Sequence, residues 1–284
     1  MNGFLSPHEY FRRHGGRPKK RLGQHFLTQP RTAEKIVAAA HLSPDDVVVE
    51  IGPGLGILTA HLLPLCPRLH LVELDTGLAD YVEEALRHRG HGARVHRIDV
   101  LRFDWTRVAK ESGRRLVLVG NLPYQITSPL MFQLLEHRRA IHHGVFMVQK
   151  EVGRRLAASP GSKDYGVLSV LLSLYGRVKA LFAVAPGQFY PPPKVDSLVI
   201  RIDFPESEAD LGGVDFFMLR RLVNAAFQKR RKTLANSLAG FHGLCAESLR
   251  AALRMVGIDP ALRAEVLTPK DFAHLARFLA QGEA

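Results

Sequence analysis

Cysteine is scarce in this 284-residue sequence, which has only Cys66 and Cys245. They stand far apart, with no second cysteine or paired histidine at metal-ligand spacing. That argues against a disulfide framework or a local zinc site and fits a reducing compartment. Long hydrophobic runs are missing too. No stretch approaches the ~18 apolar residues of a membrane span, and the first twenty residues lack the apolar centre of a secretory signal. A cytoplasmic protein with no membrane association is expected. Internal repeats and low-complexity tracts are absent. Acidic residues are under-represented: 27 Asp and Glu against 39 Lys and Arg leave a net charge of +12. Such an excess predicts an acidic polymer as partner, most simply nucleic acid. Hydrophobic content of 46% is ordinary for a globular chain, and the length suits one large domain plus a smaller one.

The most informative stretch is Leu116 to Pro129, LVLVGNLPYQITSP. The apolar run Leu116 to Val119 reads as a buried parallel strand. It ends in Gly120-Asn121-Leu122-Pro123-Tyr124, which sets an amide, a rigid turn and an aromatic ring at the carboxyl end of that strand. Open α/β sheets bind ligands at that end. Asn-Leu-Pro-Tyr resembles the signature of enzymes that methylate an exocyclic amine of adenine, and the chemistry accounts for each residue. The N6 lone pair is delocalised into the ring, so the amine is a poor nucleophile. The Asn121 side-chain oxygen and a backbone carbonyl of Leu122 or Pro123 can accept its two N–H bonds and favour a directed lone pair. Pro123 removes a competing donor. Tyr124 offers a face on which an extruded base can stack.

Other candidate residues fall at the ends of preceding strands. Asp46 to Ile57, DVVVEIGPGLGI, is a β-branched run followed by Gly52, Gly54 and Gly56, which let the backbone turn sharply and approach a ligand. Its ExGxGxG spacing differs from the dinucleotide GxGxxG and resembles the loop that holds S-adenosylmethionine. A second strand, Leu69 to Val72, ends in Glu73, placed to accept hydrogen bonds from ribose hydroxyls; Asp75 reads as the N-cap of the next helix. A third, Arg94 to Ile98, ends in Asp99, a turn aspartate or an acceptor for an adenine amine. Strands are also expected at Gly144 to Val148, Val178 to Val184 and Ser197 to Phe204.

Three segments follow. Residues 1–20, rich in Arg and Lys, read as a basic flexible tail. Residues 21–206 form the α/β domain, and polar Pro205 to Gly213 separates it from an all-helical region, 207–284. Helices are expected there at about 215–228, 232–239, 246–256 and 269–281. Lys229, Arg230, Arg231 and Lys232 place four cations at a helix junction, a candidate contact for a phosphate backbone.

The pieces LGQHFL, VEIGPGLGILT, VELD, GNLPY, FMVQKEVGRRL, FYPPPKVDS and FQKRRKTLANSL stand in order. Together they resemble the ribosomal RNA adenine dimethyltransferase family over nearly the whole chain. The resemblance implies a Rossmann-like class I methyltransferase with a seven-stranded, mostly parallel sheet and a small helical C-terminal domain that helps hold RNA. It implies S-adenosylmethionine as cofactor, contacted by His25, Leu27, Gly52, Gly54, Glu73, Asp99 and Asn121, with no metal. It places Phe189 opposite Tyr124 at the target base. It also implies dimethylation of two adjacent adenines near the 3′ end of small-subunit ribosomal RNA, by a monomer acting on immature small subunits. A related large-subunit methyltransferase and a non-catalytic assembly role on the same fold are the alternatives. The former commonly has Ile where this chain has Leu122.

Overall fold

The computed structural model describes residues 4–207, 213–229 and 231–281. Its strands are β1 (Phe26–Leu27), β2 (Val47–Ile51), β3 (Arg68–Glu73), β4 (Arg94–Arg97), β5 (Leu116–Asn121), β6 (Ile141–Gln149), β7 (Arg177–Val184), β8 (Phe189–Tyr190) and β9 (Ser197–Asp203). Seven of them form one sheet in the order β4-β3-β2-β5-β6-β9-β7, and β1 pairs with β8 in a small second sheet. β2, β3, β4, β5 and β6 run parallel; β9 is antiparallel to both β6 and β7, so it alone is reversed. β2 and β5 are buried along nearly their whole lengths. That burial is why they are written in Val, Ile and Leu without alternation. Chain order reverses between β2 and β5. Such a switch leaves a crevice beyond the strands' carboxyl ends.

The helices are α1 (Pro7–His14), α2 (Pro30–Ala38), α3 (Ile57–Leu62), α4 (Thr76–Arg87), α5 (Trp105–Ser112), α6 (Thr127–Glu136), α7 (Lys150–Leu156), α8 (Val167–Tyr175), α9 (Phe216–Phe227), α10 (Leu234–Leu238), α11 (Ala246–Met255) and α12 (Pro269–Gln281). The four C-terminal ones fall where expected. Thr268 and Asp271 cap α12 reciprocally, each side chain accepting the other's backbone N–H at 3.2 and 2.8 Å. No helix among the described residues is long and apolar enough to cross a membrane.

Two expectations are corrected. Residues 7–14 are a helix and not part of a flexible tail. Ser6 and Glu9 close a capping box and Pro7 opens the first turn, a combination that satisfies the orphan N–H groups of a short helix. Tyr10 is buried edge-to-face against Tyr81, 5.0 Å between ring centroids, and the Leu5 N–H donates to the Tyr81 hydroxyl at 2.6 Å. The second correction concerns the domain boundary. Met1–Gly153 and Arg177–Glu206 make one compact unit, and Arg154–Gly176 joins Ser207–Ala284 in the other. In that second unit the Tyr165 hydroxyl donates to the Leu267 carbonyl at 3.0 Å and the Gly161 N–H to Glu265 at 2.7 Å. Ring contacts pair Tyr165 with Phe227 and Tyr175 with Phe216. α8 is Leu-rich and largely buried, and burial against α9 and α12 takes it out of the α/β unit.

Two histidines are buried in the α/β unit. His70 on β3 stacks on His96 of β4, with Nδ1 2.9 Å from Nε2. Burial, reinforced by His96 and Arg94, pushes its imidazole down to about 4. His143 on β6, whose Nε2–H donates to the Ala40 carbonyl at 2.7 Å, is likewise pushed to about 4 by burial first and Arg201 second. An unfolded histidine takes a proton near pH 6.5, which these two resist until about pH 4. Their contribution is therefore present above pH 6.5 and is lost as pH falls toward 4. Urea midpoints measured over that window should fall less steeply for His70→Asn than for the parent chain. Equal slopes would show that His70 does not titrate with unfolding.

Candidate active site

β2, β3 and β5 deliver their last residues, and the turns that follow them, to one cavity of about 730 Å³. Gly54 follows β2 with φ of +57°, a conformation that L side chains avoid. Its N–H is thereby turned onto the Glu73 carboxylate at 3.2 Å, while the Asp75 N–H donates to the other Glu73 oxygen at 2.9 Å. Burial raises the Glu73 carboxyl, opposed by these bonds. Gly120 sits where a methyl group would come 2.8 Å from the Ile51 carbonyl of the neighbouring strand. The missing side chain lets β5 press against β2 just before Asn121.

Asn121 is oriented by a partner 96 residues earlier: its Nδ2 donates to the His25 carbonyl at 2.9 Å. The His25 ring packs against the Tyr124 ring, 5.6 Å between centroids at 25°. Its Nδ1 lies 2.7 Å from the Pro191 carbonyl. Since a carbonyl only accepts, Nδ1 carries a proton. In the Asn-Leu-Pro-Tyr turn the Leu122 N–H donates to Met147 at 3.0 Å, while Pro123 accepts from the Ile126 N–H and the Thr127 hydroxyl. The Tyr124 hydroxyl is buried near Ser197 with no hydrogen bond of ordinary geometry, and burial raises its pKa.

His25, Leu27, Gly52, Gly54, Glu73, Asp99, Asn121, Leu122, Pro123 and Tyr124 all line this cavity. Asp99 also does ordinary turn work, accepting the Leu101 N–H at 2.9 Å. Phe189 is placed otherwise. It is 5% exposed in the core with Leu27, Met147 and Val199, and it is not among the lining residues. Alternation along β8 sends Phe189 inward and Tyr190 outward, where it meets the His8 ring at 4.3 Å. The expected pairing of Phe189 with Tyr124 across a base is therefore not formed in this structure. Lys229, Arg231 and Lys232 are exposed at the turn between α9 and α10, and Arg230 lies outside the described residues.

Three contributions went unread in the sequence. Phe4 to Glu9 line the cavity, for which the Ser-x-x-Glu capping pattern was the available signal. Asp75 stands at the N-cap position of α4 but does not cap it; its carboxylate receives Lys19 Nζ and Gln24 Nε2, each at 2.7 Å. Burial would raise that carboxyl, but those two partners outweigh it and the net shift is downward. Glu50, within β2, is fully buried; Thr59 Oγ1 donates to its Oε2 at 2.7 Å and its Oε1 has no partner. The ExGxGxG spacing included this glutamate, but nothing in the sequence showed that one of its oxygens is left without a partner.

A sheet with one reversed strand, opening at its switch point onto a glycine loop backed by buried carboxylates, defines a class I S-adenosylmethionine-dependent methyltransferase. An unpartnered buried oxygen on Glu50 and the Glu73 carboxyl in the same lining fit a ligand that carries both positive charge and a ribose. The profile described as ribosomal RNA adenine dimethylase matches residues 15–281. A ribosomal RNA small subunit methyltransferase A from Syntrophotalea carbinolica is 45% identical over 265 residues, 93% of this chain and 97% of that one. Its counterpart from Nitrosococcus oceani is 44% identical over 264 residues, with the same coverage of each chain, 93% and 97%. Among solved structures, a dimethyladenosine transferase from Plasmodium falciparum has a TM-score of 0.78 at 26% identity, covering 91% of this chain and 98% of that one. The 23S rRNA methyltransferase ErmE has a TM-score of 0.64 at 26% identity, covering 90% of this chain and 100% of that one. The chain belongs to the ribosomal RNA adenine dimethylase family, whose members use S-adenosylmethionine.

The close approach at Gly120 is testable by stability alone. Gly120→Ala should lower the unfolding free energy by about 1–3 kcal/mol, the usual penalty for an inserted methyl that its neighbours cannot escape. Denaturation in urea would measure it, and a parent-like midpoint would mean that β5 and β2 separate freely.

Proposed function

We propose that this chain transfers methyl groups from S-adenosylmethionine to N6 of two adjacent adenines near the 3′ end of small-subunit ribosomal RNA. We further propose that it acts as a cytoplasmic monomer on immature small subunits. The observation that carries the mechanism is the Asn121 amide. With Nδ2 committed to the His25 carbonyl, Oδ1 is the atom left to accept an N–H of the target amine. The Pro123 carbonyl already accepts from Ile126 and Thr127, which favours Leu122 for the second acceptor. Drawing both protons toward oxygen localises the amine lone pair. After one transfer the remaining N–H can still be held by either acceptor, which permits a second. The Tyr124 ring, backed by His25, supplies the stacking face, and unpaired RNA offers such a base without the cost of opening a duplex.

When bound, the cofactor supplies a methyl already activated by its sulfonium. Glu73 is the candidate acceptor for its ribose hydroxyls and Asp99 for its adenine amine. His25, Leu27, Gly52 and Gly54 complete that wall. The protein's share is alignment and exclusion of water. The small-subunit reading is favoured over the large-subunit one by 45% identity to a small-subunit relative and by a TM-score of 0.78 to a dimethyladenosine transferase against 0.64 to ErmE. It is tested by mass spectrometry of RNA after unmethylated immature small subunits are incubated with labelled cofactor. Two methyls on each of two neighbouring adenines are expected; no label on the small-subunit RNA, with label appearing in a parallel incubation of large-subunit RNA, would overturn the reading.

Asn121→Ala should slow single-turnover methyl transfer by at least tenfold while RNA affinity changes little, because the acceptor matters only once the amine is engaged. Transfer at the parent rate would refute the role given to Oδ1. Replacing Lys229, Arg230, Arg231 and Lys232 with Ala should weaken RNA binding and leave cofactor affinity alone. Every cation that ceases to neutralise a phosphate should reduce the log–log salt slope by about 0.7. An unchanged slope would make the cluster a solvated surface.

A further inference from the structure

Asp75 is a buried charge for which the mechanism above has no use. It stands between β3 and α4, is 5% exposed, and is not among the residues that line the cavity. A carboxylate taken so far out of water needs both oxygens filled, and here both are. Oδ1 accepts from the Lys19 ammonium and Oδ2 from the Gln24 side-chain amide, each at 2.7 Å. Gln24 Oε1 in turn accepts the Lys19 backbone N–H at 2.7 Å. Asp75, Gln24 and Lys19 thereby close a ring of hydrogen bonds.

The ring can close in one sense only. A carboxylate accepts and a backbone N–H donates, so the Gln24 amide must turn Nε2 to Asp75 and Oε1 to Lys19. Between those two residues the chain makes a tight turn, with the Leu22 N–H donating to the Lys19 carbonyl at 3.0 Å and Gly23 at φ of +62°. A methyl group on Gly23 would lie 3.6 Å from the Pro123 side chain. This turn therefore runs alongside the one that follows Asn121.

The residue after Gln24 is His25, whose carbonyl receives Asn121 Nδ2 at 2.9 Å. On its other side His25 leads into β1, which is two residues long and pairs with β8. Two strands so short hold a chain weakly by themselves. The carbonyl that orients Asn121 is thus suspended between Asp75 and β8, and loss of Asp75 would leave it the weaker support.

We propose that Asp75 is a positioning residue for methyl transfer. Through Lys19 and Gln24 it holds the His25 carbonyl where the Asn121 amide must donate, and so keeps Oδ1 turned toward the target amine. This rests on the role given to Asn121 above. Asp75 itself lies outside the cavity lining, so its effect reaches the reaction through Asn121.

Single-turnover methyl transfer at saturating cofactor and RNA reads that effect apart from the affinities. Asp75→Asn keeps the size of the side chain and the backbone N–H that donates to Glu73, but it sets an N–H group against one of two donors. It should slow transfer about tenfold in the parent chain and by less than about twofold in Asn121→Ala, because residues that act through one another are not additive. Lys19→Met, at a side chain 46% exposed, should show the same coupling, and it tests the ring even if Asp75→Asn fails to fold. A second readout needs no turnover. The Asn121 side-chain N–H resonances of the isotope-labelled protein, identified by their absence in Asn121→Ala, should move in Asp75→Asn and in Lys19→Met. They decide the question where Asn121→Ala leaves too little transfer to measure. Equal slowing in the two backgrounds would make Asp75 a structural residue and overturn the proposal. Parent-like rates would overturn it too, as would resonances that stay in place in a folded variant. Parent-like transfer by Asn121→Ala would instead sink the role of Asn121 itself.

Discussion

The hydrogen bond from the Asn121 side chain to the His25 carbonyl is the constraint on which the site depends. An amide has one donor end and one acceptor end, and it presents the acceptor to a ligand only if something fixes the donor. Here that something is a backbone atom of a loop that begins outside the main sheet. The loop is in turn pinned by Gln24 to Asp75 and by the His25 ring to Pro191. One amide orientation therefore depends on the tips of β3 and β5 and on the turn after β8 at once.

Charge in the cavity is arranged by the same economy. Glu73 receives two backbone N–H groups and Asp75 a lysine and a glutamine, whereas Glu50 has a single hydroxyl. Three acids within a few residues of strand ends thus differ sharply in how well they are satisfied. Asp75 serves the framework, while Glu73, held by two N–H groups, and Glu50, held by one hydroxyl, both line the cavity.

Most of the sheet was legible in the sequence, because buried parallel strands are runs of Val, Ile and Leu that end at Gly, Asp or Asn. The Asn-Leu-Pro-Tyr turn and the glycine loop were legible for the same reason: their chemistry is contiguous. What was not legible is non-contiguous or directional. The capping box at Ser6 and Glu9 was visible, but the cations after it suggested a solvated tail. The placement of α8 depends on partners a hundred residues away, such as Leu267 for Tyr165. The direction of Phe189 depends on the phase of a two-residue strand, too short for any pattern to set. Glu50 sat inside the glycine motif and read as part of it.

The pairing of β1 with β8 has a consequence for the order in which the molecule can be completed. Phe26 aligns with Tyr190 and Leu27 with Phe189, and the Thr28 N–H donates to Gln188. The loop that positions Asn121 must therefore wait for some 160 more residues to be synthesised before its last partners exist. The parallel strands β2 to β6 can assemble meanwhile from nearer neighbours. A nascent chain that stops before Gln188 would own most of the sheet and every residue that lines the cavity, but not the β8 contacts that hold His25 and Leu27 in place.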